Sequence, residues 1–159
     1  MRFLCDAMLG GLARWLRAAG YDTLLAESGC PDHTLIDLCV CDDRILLTKD
    51  RQLWLDARDT VRVLLLADRN IDGHAWELRE VLGVAWQHAP FTRCLVDNAL
   101  LRAAEPHHAE QVPLTSRRIA CPLRMCPTCG RLYWPGGHVR RMQRRLASWQ
   151  GRSPSAEEY

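Results

Sequence analysis

Phe3-Leu4-Cys5-Asp6-Ala7-Met8-Leu9-Gly10-Gly11-Leu12-Ala13-Arg14-Trp15-Leu16-Arg17 is the stretch whose reading decides the fold. A short apolar run, Phe3-Leu4-Cys5, stops at an acid. Apolar residues then recur at Leu9, Leu12, Ala13 and Leu16, the i, i+3, i+4, i+7 stripe of an amphipathic helix. Gly20 stands where such a helix ends. The stretch predicts a strand, then a helix, with Asp6 at the join. In open α/β sheets ligands bind beyond the carboxyl ends of the strands, so Asp6 stands where chemistry is usually found. A carboxylate at that position also accepts the first N–H groups of a helix, and both readings stay open.

Working outward, the alternation continues. Residues 21–26, 44–48 and 61–66 read as strands, and 84–86 as a last edge strand. Residues 32–40 read as a helix with Asp32 as N-cap, followed by helices over 52–58 and 72–82. Asp72 or Gly73 opens the last of these and Gly83 closes it. Strands alternating with helices call for a parallel sheet with helices on both faces. Pro90 breaks the pattern, and cysteines, prolines and arginines dominate from there on. The expected division is a domain over 1–89, a second over 90–142, and a tail over 143–159 that is first basic, then flexible.

With 159 residues, 48% hydrophobic and 25% charged, the chain suits one domain or one plus a small appendage. No apolar run approaches the ~18 residues of a transmembrane helix, so no membrane partner is expected. Asp6 interrupts any signal-like arrangement at the N-terminus, and the expected location is cytoplasmic. The eight cysteines are then not expected to form a disulfide framework. Cys5, Cys30, Cys39 and Cys41 read as buried free thiols. The net charge is only +2, but from Gln111 to Ala156 there is no Asp or Glu. That span holds Arg117, Arg118, Arg124, Arg131, Arg140, Arg141, Arg144, Arg145 and Arg152. A one-signed stretch is either a solvated face or a surface for an anionic partner such as nucleic acid.

Two constellations carry chemistry. Asp6 ends the first strand, Asp50 lies just past the third, and Asp32 opens the helix between the second and third. Carboxylates converging at one end of a sheet repel one another unless a cation neutralises them, and hard ions such as Mg²⁺ or Mn²⁺ favour oxygen ligands. Such an ion can activate water and clamp a phosphodiester. Three separate helix caps are the competing reading. The second constellation is Cys94-Leu95-Val96-Asp97-Asn98 with Cys126-Pro127-Thr128-Cys129-Gly130. Cys-Pro-x-Cys-Gly is a knuckle for structural Zn²⁺, which needs four tetrahedral ligands. Cys121 and His138 are further candidates for the set. A redox Cys-x-x-Cys at Cys126 and Cys129 is the alternative, although the strand–helix context of that chemistry is missing.

The opening stretch, with Gly20-Tyr21-Asp22 and Leu46-Leu47-Thr48-Lys49-Asp50-Arg51, resembles the Mut7-C RNase family from Phe3 to about Met142. The resemblance implies a PIN-like (Rossmann-like) parallel sheet flanked by helices, with a small C-terminal zinc ribbon. It also implies metal-dependent RNA cleavage, with Asp6 and Asp50 at the family's acidic positions and Asp32 matching the acid before the third strand. Tyr133-Trp134-Pro135-Gly136-Gly137-His138 matches the family's Tyr-Trp-x-Gly-x-His signature. Asp97 stands where the family has the second cysteine of a Cys-x-x-Cys. Zinc ligands are therefore expected at Cys94, Asp97, Cys126 and Cys129. Phosphate contacts are expected from Arg14, Arg17 and Lys49, which flank the acids, and from Arg140 and Arg141 in the basic tail, because the guanidinium fork suits phosphate oxygens. Tyr133 and Trp134 either pack the ribbon or stack on bases. The function these readings point to is a metal-dependent ribonuclease; the alternative is a non-catalytic RNA-binding adaptor that uses its acids as caps.

Overall fold

The structure, a computed structural model, describes residues 1–67, 69–118 and 120–151. Asp68, Arg152 and the flexible end expected after it lie outside the described residues.

Strands β1 (Arg2–Cys5), β2 (Asp22–Leu25), β3 (Ile45–Thr48) and β4 (Val63–Leu65) form a parallel sheet in the order β2-β1-β3-β4. Helices α1 (Gly10–Ala18), α2 (Asp32–Asp42) and α3 (Arg51–Ala57) connect them, and α4 (Ile71–Leu82) follows β4. Side chains alternate across a strand, and here both faces are apolar. Phe3, Cys5, Ile45, Leu47 and Leu64 enter one core with Leu12 and Leu16 of α1 and Leu78 of α4. Leu4, Leu46 and Val63 enter the other with Leu35 and Cys39 of α2 and Leu53 of α3. The short unbroken apolar runs of β1 and β3 are what a strand covered on both sides requires.

Register follows from this packing. β1 pairs with both neighbours, Cys5 lying opposite Leu25 and Leu47. The carboxyl ends of β1 and β3 are therefore adjacent, and the residues after them emerge side by side. Gly20 has φ +99°, a left-handed conformation that favours glycine. A Cβ there would also run into the Ala89 carbonyl.

The C-terminal third adds a three-stranded antiparallel sheet, β5 (Arg102–Ala103), β6 (Arg124–Met125) and β7 (Leu132–Tyr133), with the short α5 (Leu114–Arg117) between β5 and β6. Helix α6 (Gly137–Gly151) follows. Its Met142, Leu146 and Trp149, with Phe91 and Leu95, join the core shared by β1, β3, α1 and α4. Residues 143–151, expected as the basic part of the tail, belong to this docked amphipathic helix. Its apolar residues, Met142, Leu146 and Trp149, recur at helical spacing among the arginines.

Three further local expectations differ. Residues 84–86 form no strand; Trp86 is fully buried, its Nε1 donating to the Ala75 carbonyl and its ring edge-on to Trp149. Asn70 caps α4 through the Gly73 amide, ahead of Asp72 and Gly73. Pro31 occupies the N-cap position of α2, so Asp32 is its first helical residue and makes no capping bond. A proline at the cap has no side-chain acceptor, and the carboxylate one residue on favours the positive end of the helix dipole.

Candidate active site and metal centre

Asp6 and Asp50 follow β1 and β3, and one hydroxyl joins them. The Asp6 amide donates to the Leu47 carbonyl at 3.0 Å. Buried Thr48 donates from Oγ1 to Asp6 Oδ2 at 2.8 Å and accepts from the Asp50 amide at 2.9 Å. Asp6 makes no side-chain cap bond to the turn that follows it. Asp50 does cap α3, but through one oxygen: Oδ1 accepts from the Gln52 and Leu53 amides at 2.7 and 3.3 Å. Asp50 is thus a cap whose second oxygen is uncommitted among the described residues. Capping and ligation, which compete as readings of the sequence, use different oxygens of one carboxylate.

Asp32 is exposed at the start of α2. Among the described residues, Asp6, Asp32 and Asp50 are not gathered as a cluster that could hold an ion; the group that is gathered is Cys94, Asp97, Cys126 and Cys129. No arginine or histidine of the described residues forms an ion pair with any of the three acids. As a donor set, three carboxylates suit a hard cation. The sequence motif gives Thr48 no role of its own; its position two residues before Asp50, at the end of an apolar strand, is the signal for one.

The cationic residues part company. Arg14 is exposed and donates from Nη2 to His138 Nε2 at 3.2 Å. Arg17 is only 6% exposed and does not face a phosphate. Its Nε donates to the Thr23 carbonyl at 2.8 Å, and its Nη1 to the Val96 and Leu95 carbonyls at 2.7 and 3.3 Å. Residues three apart on a helix point about 60° apart around its axis, enough to put Arg17 beneath the C-terminal segment while Arg14 stays at the surface. Lys49 is half-buried beside Asp50. Arg140, Arg141 and Arg144 are exposed on α6. Arg145 is engaged instead, paired with Asp72 at 3.0 Å and lying over the rings of Trp15 and Trp149.

In the cysteine cluster, the ligand atoms of Cys94, Asp97, Cys126 and Cys129 lie within 4.8 Å of one another. Sulfurs bound to a tetrahedral zinc at about 2.3 Å lie about 3.8 Å apart; Cys94 and Cys129 are 3.7 Å apart. Cys126 Sγ is 3.3 and 3.2 Å from Asp97 Oδ1 and Oδ2. Backbone amides point at the sulfurs, Thr128 and Cys129 at Cys126, and Val96 at Cys94, each at 3.4 Å. The donor set and spacing fit zinc, and a turn between β6 and β7, not a helix start, carries the Cys-x-x-Cys. Cys121 is exposed and, like His138, outside the cluster. Burial resists ionisation of Asp97, but hydrogen bonds from Cys129, the Ala99 amide, Cys126 and Cys94 outweigh it and hold the carboxyl at about 2. The same bond to Asp97 is the main reason the Cys129 thiol is pushed up to about 12. A coordinating cation reverses that, because a coordinating thiol is deprotonated.

Elsewhere, burial pushes the Cys5 thiol up to about 12 and the Cys39 thiol to about 11, consistent with inert core thiols. Cys30 and Cys41 depart from that expectation, Cys30 being half-buried and Cys41 exposed.

The cluster is tied to the parallel sheet by polar side chains. Asn98 Oδ1 accepts from the Thr23 amide at 3.0 Å and its Nδ2 donates to Asp22 Oδ1 at 2.8 Å. Arg44 donates to the same Asp22 oxygen at 2.8 Å. Tyr133 packs the knuckle, its hydroxyl 3.2 Å from Cys94 Sγ and accepting from the Leu95 amide at 3.1 Å.

Residues 1–146 match the family model described as Mut7-C RNAse domain. No curated protein and no solved structure matches the chain. No helix of the described residues is long and apolar enough to cross a membrane.

Proposed function

The chain belongs to the Mut7-C RNAse domain family, and from that membership we propose that it is a metal-dependent ribonuclease built on a PIN-like domain. Asp6 and Asp50, with Asp32 as a third acid that the structure does not gather with them, would hold Mg²⁺ or Mn²⁺, and Cys94, Asp97, Cys126 and Cys129 would hold zinc. The observation that carries this reading is the hydroxyl of Thr48, which fixes Asp6 and Asp50 at adjacent strand ends. Each carboxylate has one oxygen bonded within the protein and keeps the other for a ligand. A hard cation there supplies Lewis-acid stabilisation of a phosphodiester and lowers the pKa of an attacking water.

The protein's own part is positional. Thr48 holds the Asp6 carboxylate against rotation, and α3 holds that of Asp50. Arg14, Arg140 and Arg141, exposed and free of acidic partners among the described residues, hold RNA phosphates without choosing sequence. The zinc ribbon orders the segment that carries Arg140 and Arg141.

The test uses Asp6→Asn and Asp50→Asn. Asparagine still accepts from Thr48 and still caps a helix, so each variant removes charge and keeps its structural bond. Expected is at least a ~100-fold loss of Mn²⁺-dependent RNA cleavage, with melting unchanged or raised, since a repelling carboxylate is gone. Wild-type cleavage by both variants would refute the acidic site, and RNA binding without any cleavage by the wild type would favour the RNA-binding adaptor.

A further inference from the structure

A cleft of about 710 Å³ opens between α1 and the C-terminal segment. It is lined by Arg14 of α1, by Arg131 and Trp134 around β7, and by His138 at the start of α6. Its size falls within the range of about 300–1,000 Å³ usual for small-ligand pockets. Not one Asp or Glu lines it. Arg14 and Arg131 have no acidic partner among the described residues, and Arg14 meets only His138. Two guanidinium groups beside an indole make a site with both an electrostatic and a stacking component.

Trp134 is set in place by its neighbours. A Cβ on Gly136 would lie 2.7 Å from the indole Nε1, so glycine lets the backbone pass close under the ring edge. Tyr133, by contrast, is used on the cysteine knuckle. Tyr133 also lines the cleft, but with its hydroxyl committed to the knuckle the indole of Trp134 is the aromatic surface offered to a ligand.

We infer that the cleft takes an unpaired base of single-stranded RNA, stacked on Trp134, with the adjoining phosphates on Arg14 and Arg131. This rests on the ribonuclease reading only in taking RNA as the ligand. Stacking on an aromatic side chain needs an exposed base face, which a duplex hides; single-strand binders combine such platforms with a cationic groove. An acidic peptide would satisfy the arginines but leave the indole without a planar partner. Arg14 follows Asp6 by a helical path of about 13 Å, so RNA held in the cleft is within a short stretch of the acidic strand ends. The inferred substrate is thus single-stranded, and duplex RNA is excluded from the site.

Binding is measured with the full chain carrying Asp6→Asn, so that RNA is not cut, in zinc-containing buffer without chelator. The probes are a labelled single-stranded RNA, the same sequence as a duplex, and polyglutamate as competitor. Arg14→Ala with Arg131→Ala is expected to reduce the slope of log affinity against log salt by about 1.4, each lost phosphate contact removing about 0.7. Trp134→Ala is expected to weaken single-strand binding about 5- to 100-fold with the slope unchanged, and Trp134→Phe to restore most of it. Duplex RNA should bind more weakly and ignore the Trp134 changes. Unchanged binding by the arginine variant would overturn the inference; its exposed positions leave the fold intact, so it serves even where Trp134→Ala does not fold. Equal affinity for duplex, or displacement of RNA by polyglutamate regardless of Trp134, would overturn it as well. A wild type that binds in this pattern but cuts nothing refutes the ribonuclease reading alone. One that cuts RNA while all variants bind normally refutes the cleft alone.

Discussion

Replacing Arg17 by Met separates a structural role from an RNA-binding one. Arg17 is buried under the C-terminal segment and donates three hydrogen bonds to the carbonyls of Thr23, Leu95 and Val96. Methionine fills much of the same volume but leaves all three acceptors without that donor. A hydrogen bond to a charged group contributes about 1.5–3 kcal/mol, and three made by one guanidinium are not additive. A buried acceptor left unsatisfied costs about 1–3 kcal/mol, so three that are not fully additive give about 3–5 kcal/mol as the working figure. That is a large share of the stability of about 5–15 kcal/mol of an ordinary domain. At about 2–4 °C per kcal/mol for a chain of this size, the melting temperature should fall by roughly 6–20 °C. The assay is thermal or urea unfolding of full-length protein, together with RNA affinity at several salt concentrations below the transition. If Arg17 instead held phosphate, the melting temperature would move by no more than about 2 °C and the salt slope would drop by about 0.7. That pair of results would refute the reasoning.

Other expectations are independent of this one. Thr48→Val removes one hydroxyl and no volume; it should cost about 1–3 kcal/mol and lower RNA cleavage at least ~10-fold, since a small misplacement of a catalytic group is expensive. Cleavage at the wild-type rate by the folded variant would show that Asp6 needs no such support. Asp97→Cys should slow zinc loss to chelator and Asp97→Ala should speed it, since carboxylate is the harder, less favoured partner; equal release from wild type and Asp97→Ala would remove Asp97 from the ligand set. Asp22 carries a pH dependence. Burial raises its pKa, but hydrogen bonds from Arg44 and Asn98 and the charges of Arg44 and Arg93 prevail and leave it below the usual carboxylate value. The stability it contributes is therefore complete above about pH 4, the unfolded value, and is lost as pH falls through the lower folded value. Asp22→Asn should make the protein less stable at pH 7 and flatten the acid limb of its stability curve; an acid limb as steep as that of wild type would show that Asp22 does not carry it.

The local chemistry of the chain was sufficient for much of the fold. Apolar triplets at Phe3-Leu4-Cys5 and Ile45-Leu46-Leu47, the stripe through Leu9 and Leu16, and the breaks at Gly20 and Gly83 are short-range signals, and each became the element it announced. The Cys-Pro-x-Cys-Gly turn is likewise local and legible as a knuckle; Asp97 entered through the family resemblance, and only the structure set Cys94 and Asp97, and not Cys121 or His138, beside Cys126 and Cys129. What could not be read is whatever depends on which elements meet. Trp86 sits in residues that resemble a strand, but the gap left between α4 and α6 claimed its indole. Arginines are interleaved with the apolar residues of α6, and only packing against α1 and α4 made Met142, Leu146 and Trp149 core. Arg14 and Arg17 look equivalent along the chain. A rotation of about 60° around one helix, set against a segment some eighty residues later, buries one as a structural tie and leaves the other at the surface. Sequence carries the periodicity of each element, because backbone hydrogen bonding is local. The fate of a polar side chain on that element was decided by tertiary packing, because desolvation depends on what arrives from elsewhere in the chain.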